Sequence, residues 1–253
     1  MALPLPPGLT QAEVAFVAEM ELVTIVPRQR LESIDLLSGK TPVLRPPHRA
    51  ELPLWLALLL KKQRRANIVP PSWLHPASLT EIILRETKEN PAAFSPPPPP
   101  PSRAHPREPG RARRLAESDA NLSPPFQPSC TAEAPAGYLP YHWLEVAEAL
   151  LAHAGDDMPV PAGEVRSLLR DLVEVRAAKM RSSTSQLEGF GGGLMSLRGV
   201  GAMELAESRG FVLGVVDGVR KIGASAEATR REEEELGGGR NDDDDESDDD
   251  MGI

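Results

Sequence analysis

The densest group of side chains that could do chemistry in this sequence is a basic cluster near residue 60. An apolar run at residues 54–60 is followed by Lys61, Lys62, Arg64 and Arg65. Cations favour the carbonyl end of a helix, so solvated charges at a helix C-terminus are one interpretation of the cluster. A docking patch for an acidic partner or for DNA is the other interpretation. The sequence alone leaves both open.

Residues that could support catalysis or hold a metal are scattered. The five histidines have no spacing typical of metal ligands, and the sequence contains neither H-E-x-x-H nor G-x-S-x-G. It also lacks the phosphate-binding G-x-x-x-x-G-K-[ST] loop. Residues 199–204 begin like the dinucleotide fingerprint G-x-G-x-x-G, but the last glycine is replaced and no predicted strand precedes it. We therefore predict that the protein is not an enzyme and binds no cofactor or metal.

The C-terminal end of the chain is strongly acidic. Residues 232–250 carry twelve acidic side chains and one arginine, which leaves the rest of the chain at +2 although the whole chain is at −9. A run of like charges repels itself and stays solvated. Ser247 lies among these acids, a setting that suits an acidophilic kinase. We hypothesise that Ser247 is phosphorylated, which would add negative charge to an anionic segment.

Composition limits how much of the chain can pack. With 27 prolines, 20 glycines and 4% aromatic residues, part of the 253-residue chain is predicted to be disordered. The predicted disordered segments are a proline-rich insert at residues 92–137 and the acidic tail at residues 225–253. A single cysteine, Cys130, fits a reducing compartment, and the first ten residues have no features of a secretory signal. We expect an intracellular protein.

Residues 1–52 are predicted to form a small β-rich domain with a short N-terminal helix. Thr10 and Glu13 form a T-x-x-E capping box for a helix that ends near residue 20. A β-branched strand then spans residues 22–26 and is closed by Pro27. Shorter extended pieces are expected at residues 31–37, 41–44 and 49–52.

A mainly α-helical domain is predicted for residues 53–91 and 138–224. Residues 54–60 are apolar around the whole circumference of a helix, which predicts burial on all sides. The run has about half the length that a membrane span needs. A second capping box at Ser78 and Glu81 predicts the start of another helix. The predicted fold class is therefore α+β.

Two long predicted helices, at residues 161–182 and from about residue 202 to 222, carry broad apolar faces that suggest partner subunits. Besides the basic cluster, the candidate interface residues are Trp55, Trp73, Leu168, Leu172, Val175, Phe211 and Val215. A tryptophan in such a segment is more often part of the core than a platform for a ligand. The spacing of Gly210, Gly214 and Gly218 permits a close helix contact in a soluble setting, or merely weakens the helix.

Four segments of the sequence together resemble one known family. They are LTQAEVAFVAEMELVTIVPRQRLESIDLLSG, PLWLALLLKKQRRANIVPPSWL, LPYHWLEVAEALLAHAGDDMPVPAGEVRSLLRDLVEVRAAKMRSS and AMELAESRGFVLGVVDGVRKI. Their order is similar to that in the Psf-two subunit family of the eukaryotic GINS DNA replication complex. The most specific part is the P-L-W-L-A-L-x-L-K-K-Q-R-R run with the P-P-S-W-L turn after it. The long proline-rich insert resembles filamentous-fungal members.

This resemblance implies a nuclear, non-catalytic scaffold subunit. It implies a β-rich domain followed by an α-helical domain, in a heterotetramer with the Sld-five, Psf-one and Psf-three subunits. It further implies that this tetramer joins the MCM hexamer and the Cdc-forty-five protein in the replicative DNA helicase, with DNA contacted only indirectly or weakly and no membrane association. The alternative is a nucleic-acid-binding adaptor that uses the basic residues between positions 45 and 65, including Arg45 and Arg49.

Overall fold

A computed structural model of the chain describes residues 8–37, 39–99, 129–183 and 197–238. Contacts divide these residues into two units: a larger one that contains residues up to 182 together with 197–208, and a smaller one that contains residues 209–238. The fold is α+β, with the strands in the N-terminal part and most of the six helices after them. Ser247 and the rest of the chain beyond residue 238 lie outside the described residues.

Helix α1, Gln11–Ala18, begins at the predicted capping box, which is confirmed. The Glu13 N–H donates to Thr10 Oγ1 at 3.3 Å, and the Thr10 N–H donates to Glu13 Oε2 at 2.7 Å. The two bonds satisfy backbone donors that the first turn of a helix otherwise leaves unpaired. Val14 and Ala18 are buried, whereas Phe16 on the outer side is 72% exposed.

Five short strands form within the first 69 residues. They are β1 (Leu22–Pro27), β2 (Asp35–Leu36), β3 (Gly39–Lys40), β4 (Ala50–Pro53) and β5 (Ala66–Val69). β1 is the central strand of an antiparallel sheet with β4 and β5 at its sides, and β2 pairs only with β3. The predicted strand at β1 is confirmed, whereas the predicted strand at 31–37 shrinks to β2 and an isolated bridge between Leu31 and Leu44.

Strand β5 lies inside the stretch that is predicted to belong to the mainly α-helical domain. Its four residues are few, and they lie between the basic cluster and a pair of prolines, so no alternation of apolar and polar residues is visible. The strand forms because it pairs with the second edge of β1, from Thr24 opposite Val69 to Pro27 opposite Ala66. The domain boundary at residue 52 stays a prediction, but the sheet itself extends to residue 69.

Helix α2, Leu54–Lys62, is buried on one side and not all around. Leu54, Leu56, Ala57 and Leu60 are buried, but Leu59 is 44% exposed. The prediction of burial on every side was therefore wrong for this chain, because the sheet and the later helices cover only part of the helix circumference.

The remaining helices follow the predicted order. They are α3 (Pro76–Leu84), α4 (Trp143–His153), α5 (Ala162–Ser183) and α6 (Ala202–Gly238). The predicted capping box at Ser78 and Glu81 is wrong, because α3 begins earlier, with Pro76 in its first turn, and this places Ser78 inside the helix. Proline suits this first turn because its missing N–H would have no helical partner there. A π-helical turn, Arg85–Glu89, continues α3.

The bounds predicted for the insert and the tail differ from those in the structure. Residues 100–128 lie outside the described residues, but both ends of the predicted insert are packed into the fold. Ser95 is 2% exposed, and Cys130 and Ala134 are 0% and 7% exposed. Helix α6 likewise continues past residue 225 to Gly238. Composition missed the ends of the insert because Glu86 and Thr24, which hold them, are distant in the sequence.

A single apolar core joins the sheet to helices α2 to α5 in the larger unit. Its largest fully buried members are Trp73 and Trp143, both with 0% exposure. Val23 and Ile25 extend the core from the central strand, and Leu150 from α4. Among the helices of the described chain, none combines the length and the apolar composition that crossing a membrane requires.

Candidate interaction surfaces and the residues that position them

Lys61 is separated from the rest of the basic cluster because it points inward. Its side chain is 8% exposed, and its Nζ atom lies 2.7 Å from Asp156 Oδ2 and 2.8 Å from Asp157 Oδ1. Burial alone would lower the pKa of Lys61, but the hydrogen bonds and charges of the two aspartates outweigh it and raise that pKa. Lys61 is therefore a buried ion-pair residue, and its assignment to an accessible interface was wrong.

The other three members of the basic cluster, Lys62, Arg64 and Arg65, are exposed at the end of α2. The Arg64 N–H donates to the Lys61 carbonyl at 2.8 Å, and the Arg65 N–H donates to the Leu60 carbonyl at 2.9 Å. These two bonds form a Schellman cap, in which the position of Arg64 is usually glycine. Arg64 occupies it with a φ of 58°, a left-handed conformation that disfavours residues with a Cβ.

The apolar interface candidates of the larger unit are only partly accessible. Trp73 and Leu172 have 0% exposure, so both belong to the core and their assignment as interface residues was wrong. Trp55, Leu168 and Val175 are half-buried and stay candidates. Helix α5 has the predicted apolar stripe, but the core of the chain itself covers most of that stripe.

Residues 209–238 of α6, in the smaller unit, expose apolar side chains along the helix. Phe211 and Leu213 are 44% and 46% exposed, Ile222 is 72% exposed, and Val215 is half-buried. A Cβ added at Gly210, Gly214 or Gly218 would meet no atom within 4 Å. These glycines therefore make no close helix contact within the described chain.

A groove of about 470 Å³ lies between α4, α5 and the first turns of α6. Its apolar lining comes from Leu144, Leu151, Leu169 and Val173. Charged side chains surround the apolar residues, and burial raises the pKa of one of them, Glu148. The groove is open to solvent.

A buried ion cluster around Arg176 fixes the start of α6 and the segment after α3. Arg176 Nε and Nη2 donate to the two carboxylate oxygens of Glu204 at 2.5 and 2.9 Å, and Nη1 donates to Glu86 Oε1 at 2.5 Å. Nη2 also donates to the carbonyl of Gly199 at 2.6 Å. The guanidinium carbon lies 4.9 Å from the ring centroid of Phe94. One side chain thus connects four segments of the chain.

Lys179 completes the cluster one turn further along α5. Its Nζ atom is 3.3 Å from Glu86 Oε2 and donates to the carbonyls of Asn90 and Ala93 at 3.1 and 2.6 Å. Burial would raise the pKa of Glu86, but the charge of Arg176 and the N–H of Ser95 outweigh it and lower that pKa. The cluster therefore holds Glu86 ionised inside the protein.

Two glycines of the sequence that begins like a dinucleotide fingerprint have a packing role. Gly199 has a φ of 84°, and a Cβ there would lie 2.3 Å from the carbonyl oxygen of Ser95. A Cβ at Gly201 would lie 2.8 Å from Nε1 of Trp143. Only glycine allows the backbone to approach these neighbours so closely. The motif is accounted for by close packing beside Arg176.

A second buried cluster of titratable groups lies between β1 and α4. Burial raises the pKa of Glu21 to about 7, against the opposing effects of the charge of His142 and a hydrogen bond from the Cys130 thiol. The nearby carboxylate of Glu145 raises it further, and His142 Nδ1 lies 3.1 Å from Glu145 Oε1. Burial also raises the pKa of the Cys130 thiol, which keeps it protonated.

Glu21 is expected to make the folded chain less stable as pH rises. Its pKa is about 7 when folded and near 4.5 when unfolded, so the folded state binds more protons between these values. The free energy of unfolding should therefore fall from pH 5 to pH 7 and then level off, and Glu21→Gln should flatten this dependence. Urea titrations at pH 5, 6, 7 and 8 test it. Equal slopes for the wild type and the variant would contradict this account of Glu21.

Comparison with known proteins matches the chain to two family models, one that ends with the sheet and one that begins after it. Residues 10–69 match the family model of the PSF2 N-terminal domain, and residues 73–223 match that of the GINS complex protein helical bundle domain. The relative named DNA replication complex GINS protein psf2 in Neurospora crassa is 77% identical, over 91% of this chain and 90% of its own length. The chain belongs to the Psf2 family of GINS proteins.

Other Psf2 relatives match this chain at lower sequence identity. The Psf2 protein of Gibberella zeae is 70% identical over 90% of this chain and 91% of its own length. That of Aspergillus fumigatus is 52% identical over 91% of both chains. The PSF2 N-terminal model ends with β5, and the GINS helical bundle model begins within the 3₁₀ turn Ser72–Leu74, so all strands of the sheet fall within the N-terminal model.

Sequence reasoning missed the residues that position these surfaces. Arg176 and Lys61 carry no local signal, because their carboxylate partners are 28 to 96 positions away in the chain. The one usable hint is that Arg176 follows Leu172 by a helical turn and therefore shares the apolar face of α5. A charged residue on a core-facing stripe indicates a buried partner.

Proposed function

We propose that this chain is a non-catalytic scaffold subunit of a nuclear GINS heterotetramer, together with the Sld-five, Psf-one and Psf-three subunits. We further propose that the tetramer joins the MCM hexamer and the Cdc-forty-five protein in the replicative DNA helicase. Family membership supports the proposal, since the relatives that match about 90% of this chain are named DNA replication complex GINS proteins. The observation that carries it is the uncovered apolar surface of α6.

The apolar residues of α6 follow the spacing of a helix that packs on another helix. Val212, Val215, Val219 and Ile222 alternate steps of three and four residues, which places them on one stripe. Val212, Val215 and Val219 are half-buried and Ile222 is exposed. A helix with such a stripe is stable in water when a partner covers it.

Helix α1 offers a second uncovered apolar surface. Phe16, Val17 and Met20 are 72%, 47% and 60% exposed, and Leu9 just before the helix is 61% exposed. Isolated exposed apolar residues are common, but four within twelve positions indicate a contact surface. This chain therefore offers apolar surface at both its N-terminal helix and its last helix, as a subunit within an assembly requires.

Substitution on the valine stripe tests this function. The double variant Val215→Asp, Val219→Asp should lower the recovery of the other three GINS subunits at least tenfold, because each aspartate would lose hydration in a helix contact. The matched control is Asp217→Lys, which changes charge on the opposite side of the same helix. Co-expression, affinity capture through a tag on this chain and quantitative mass spectrometry give the ratios. Undiminished recovery with the double variant would contradict the proposal.

A further inference from the structure

We propose that basic residues gathered at one end of the sheet form a surface that binds the phosphate backbone of duplex nucleic acid. This sheet-end surface consists of Arg28, Arg45, Arg49, Lys62, Arg64 and Arg65. It differs from the basic cluster of the sequence because it excludes Lys61 and includes Arg28. The inference concerns a ligand of the β-rich part and goes beyond a role as a scaffold.

The antiparallel register brings these residues together. Arg28 follows β1 directly, and its N–H donates to the carbonyl of Arg65, the residue before β5, at 2.8 Å. Arg49 directly precedes β4, whose Ala50 pairs with Ile25, so it lies at the same end of the sheet. Neighbouring strands are about 4.8 Å apart, so the ends of all three strands fall within about 10 Å across the sheet.

Turns at this end of the sheet supply the remaining cations. Arg45 begins the turn that leads into β4, where the His48 N–H donates to the Arg45 carbonyl at 2.9 Å. Lys62 and Arg64 belong to the end of α2 and its cap, immediately before β5. Six positive residues thus come from four loop and strand ends near this end of the sheet, and all six are exposed.

The charge at this end of the sheet is only partly neutralised within the described chain, by Asp156 and Asp157. Residues 22–69 carry nine lysines and arginines against three acidic residues, and the two aspartates that pair with Lys61 lower the net charge from +6 to +4. Three of the nine form ion pairs: Arg30 with Glu32, Lys40 with Asp35, and Lys61 with two aspartates. No recorded ion pair of the described residues involves the other six. A surface of this kind attracts a polyanion.

Arg64 provides an independent reason to expect a ligand. Glycine at its position would complete the same Schellman cap without the steric conflict between Cβ and backbone that a φ of 58° imposes. The chain instead holds an arginine there, with its guanidinium free of any recorded partner in the described residues and exposed. A strained residue at a charged surface points to a function for the side chain.

The shape of the surface favours phosphates over an acidic peptide. Two grooves that could hold the apolar anchors of a peptide, of about 470 and 690 Å³, are lined by residues after position 95 and do not border this surface. Five of the six cations are arginines, whose planar donors match phosphate oxygens. Single-stranded nucleic acid would need aromatic platforms, and Trp55 lies at the opposite end of α2. Duplex phosphates require only the spaced cations that are present.

The experiment measures binding of a fluorescein-labelled 20-base-pair duplex of arbitrary sequence to the co-expressed complex that contains the full chain. Fluorescence anisotropy is recorded between 50 and 200 mM salt for the wild type and the variant Arg28→Gln, Arg64→Gly, Arg65→Gln. We expect the variant to bind at least tenfold more weakly and the slope of log K against log salt to fall by about 2–3, since about 0.9 is lost for each phosphate contact.

Two controls distinguish binding at the sheet-end surface from a general effect of positive charge and from loss of the complex. The variant Arg30→Gln, Lys40→Gln removes two paired cations of the same β-rich part and should leave the slope unchanged. The single variant Arg64→Gly should weaken binding while it raises or preserves the thermal midpoint, because it relieves the backbone. Subunit masses are checked first, so failure of the tetramer is distinguished from failure of this inference.

Equal slopes for the triple variant and the paired-cation control would overturn the proposal. So would a polyglutamate peptide that binds the sheet-end surface while the duplex does not, since that result identifies an acidic protein segment as the ligand. A single-stranded 20-mer bound more tightly than the duplex, with the same loss in the triple variant, would overturn the assignment to duplex phosphates.

Discussion

Replacing Arg176 with methionine is expected to lower the free energy of unfolding by about 3–5 kcal/mol, the cost of breaking a buried ion pair from one side. The Arg176 side chain is 1% exposed, as is that of Glu86, its partner at 2.5 Å. Methionine fills similar space but donates no hydrogen bond. Glu86 and Glu204 would then lie close together in the interior, with only Lys179 to compensate for them.

Urea titration monitored by tryptophan fluorescence measures the effect of Arg176→Met. The matched control is Arg170→Met, on the same helix at an exposed position, which should stay within about 0.5 kcal/mol of the wild type. The double variant Arg176→Met, Glu86→Gln should recover part of the loss, because it removes one uncompensated charge. A loss below about 1 kcal/mol for Arg176→Met would show that this cluster does not hold the segments together.

Replacing Lys61 with methionine is expected to cost about 2–3 kcal/mol, less than Arg176 because one of its partners is solvated. The side chain of Asp156 is 70% exposed, whereas that of Asp157 is 10% exposed. Asp157 Oδ2 also accepts the N–H of Ile68 in β5 at 2.7 Å. Without Lys61, the nearly buried Asp157 carboxylate would lose its cation and keep the neutral N–H of Ile68 as a donor. The contact between α2, β5 and the turn Gly155–Asp157 would then weaken.

The adjacent residue provides the control for Lys61. Lys62→Met removes the same charge at an exposed position, so its free energy of unfolding should change by at most about 0.5 kcal/mol. The same urea titration distinguishes the two lysines. If both variants lose equal stability, Lys61 has no special structural role and the basic cluster acts as one surface.

Local signals in the sequence predicted the elements that local interactions determine. The capping box at Thr10 and Glu13 and the β-branched run of β1 each specify structure within a few residues, and both are confirmed. The same reasoning failed at Ser78 and Glu81, where Pro76 starts the helix earlier. Two valid start signals competed, and the proline lay nearer to the buried 3₁₀ turn that precedes the helix.

Distant pairing determines what the sequence did not reveal. Strand β5 exists because β1 has a second edge to pair with, and that edge lies about 40 residues earlier in the chain. The Lys61 side chain points inward because it pairs with aspartates 95 and 96 positions later in the chain. The packed ends of the proline-rich insert likewise depend on Glu86 and β1: the N–H of Ser95 donates to Glu86, and that of Ala132 donates to Thr24.

Native mass spectrometry of the chain co-expressed with the Sld-five, Psf-one and Psf-three subunits tests whether this chain is a scaffold subunit of the complex. The account predicts one dominant species that contains one copy of each subunit, with little of this chain free, because the uncovered stripe of α6 and the apolar side chains of α1 require cover. A spectrum in which this chain stays monomeric while the other three subunits are present would contradict the account.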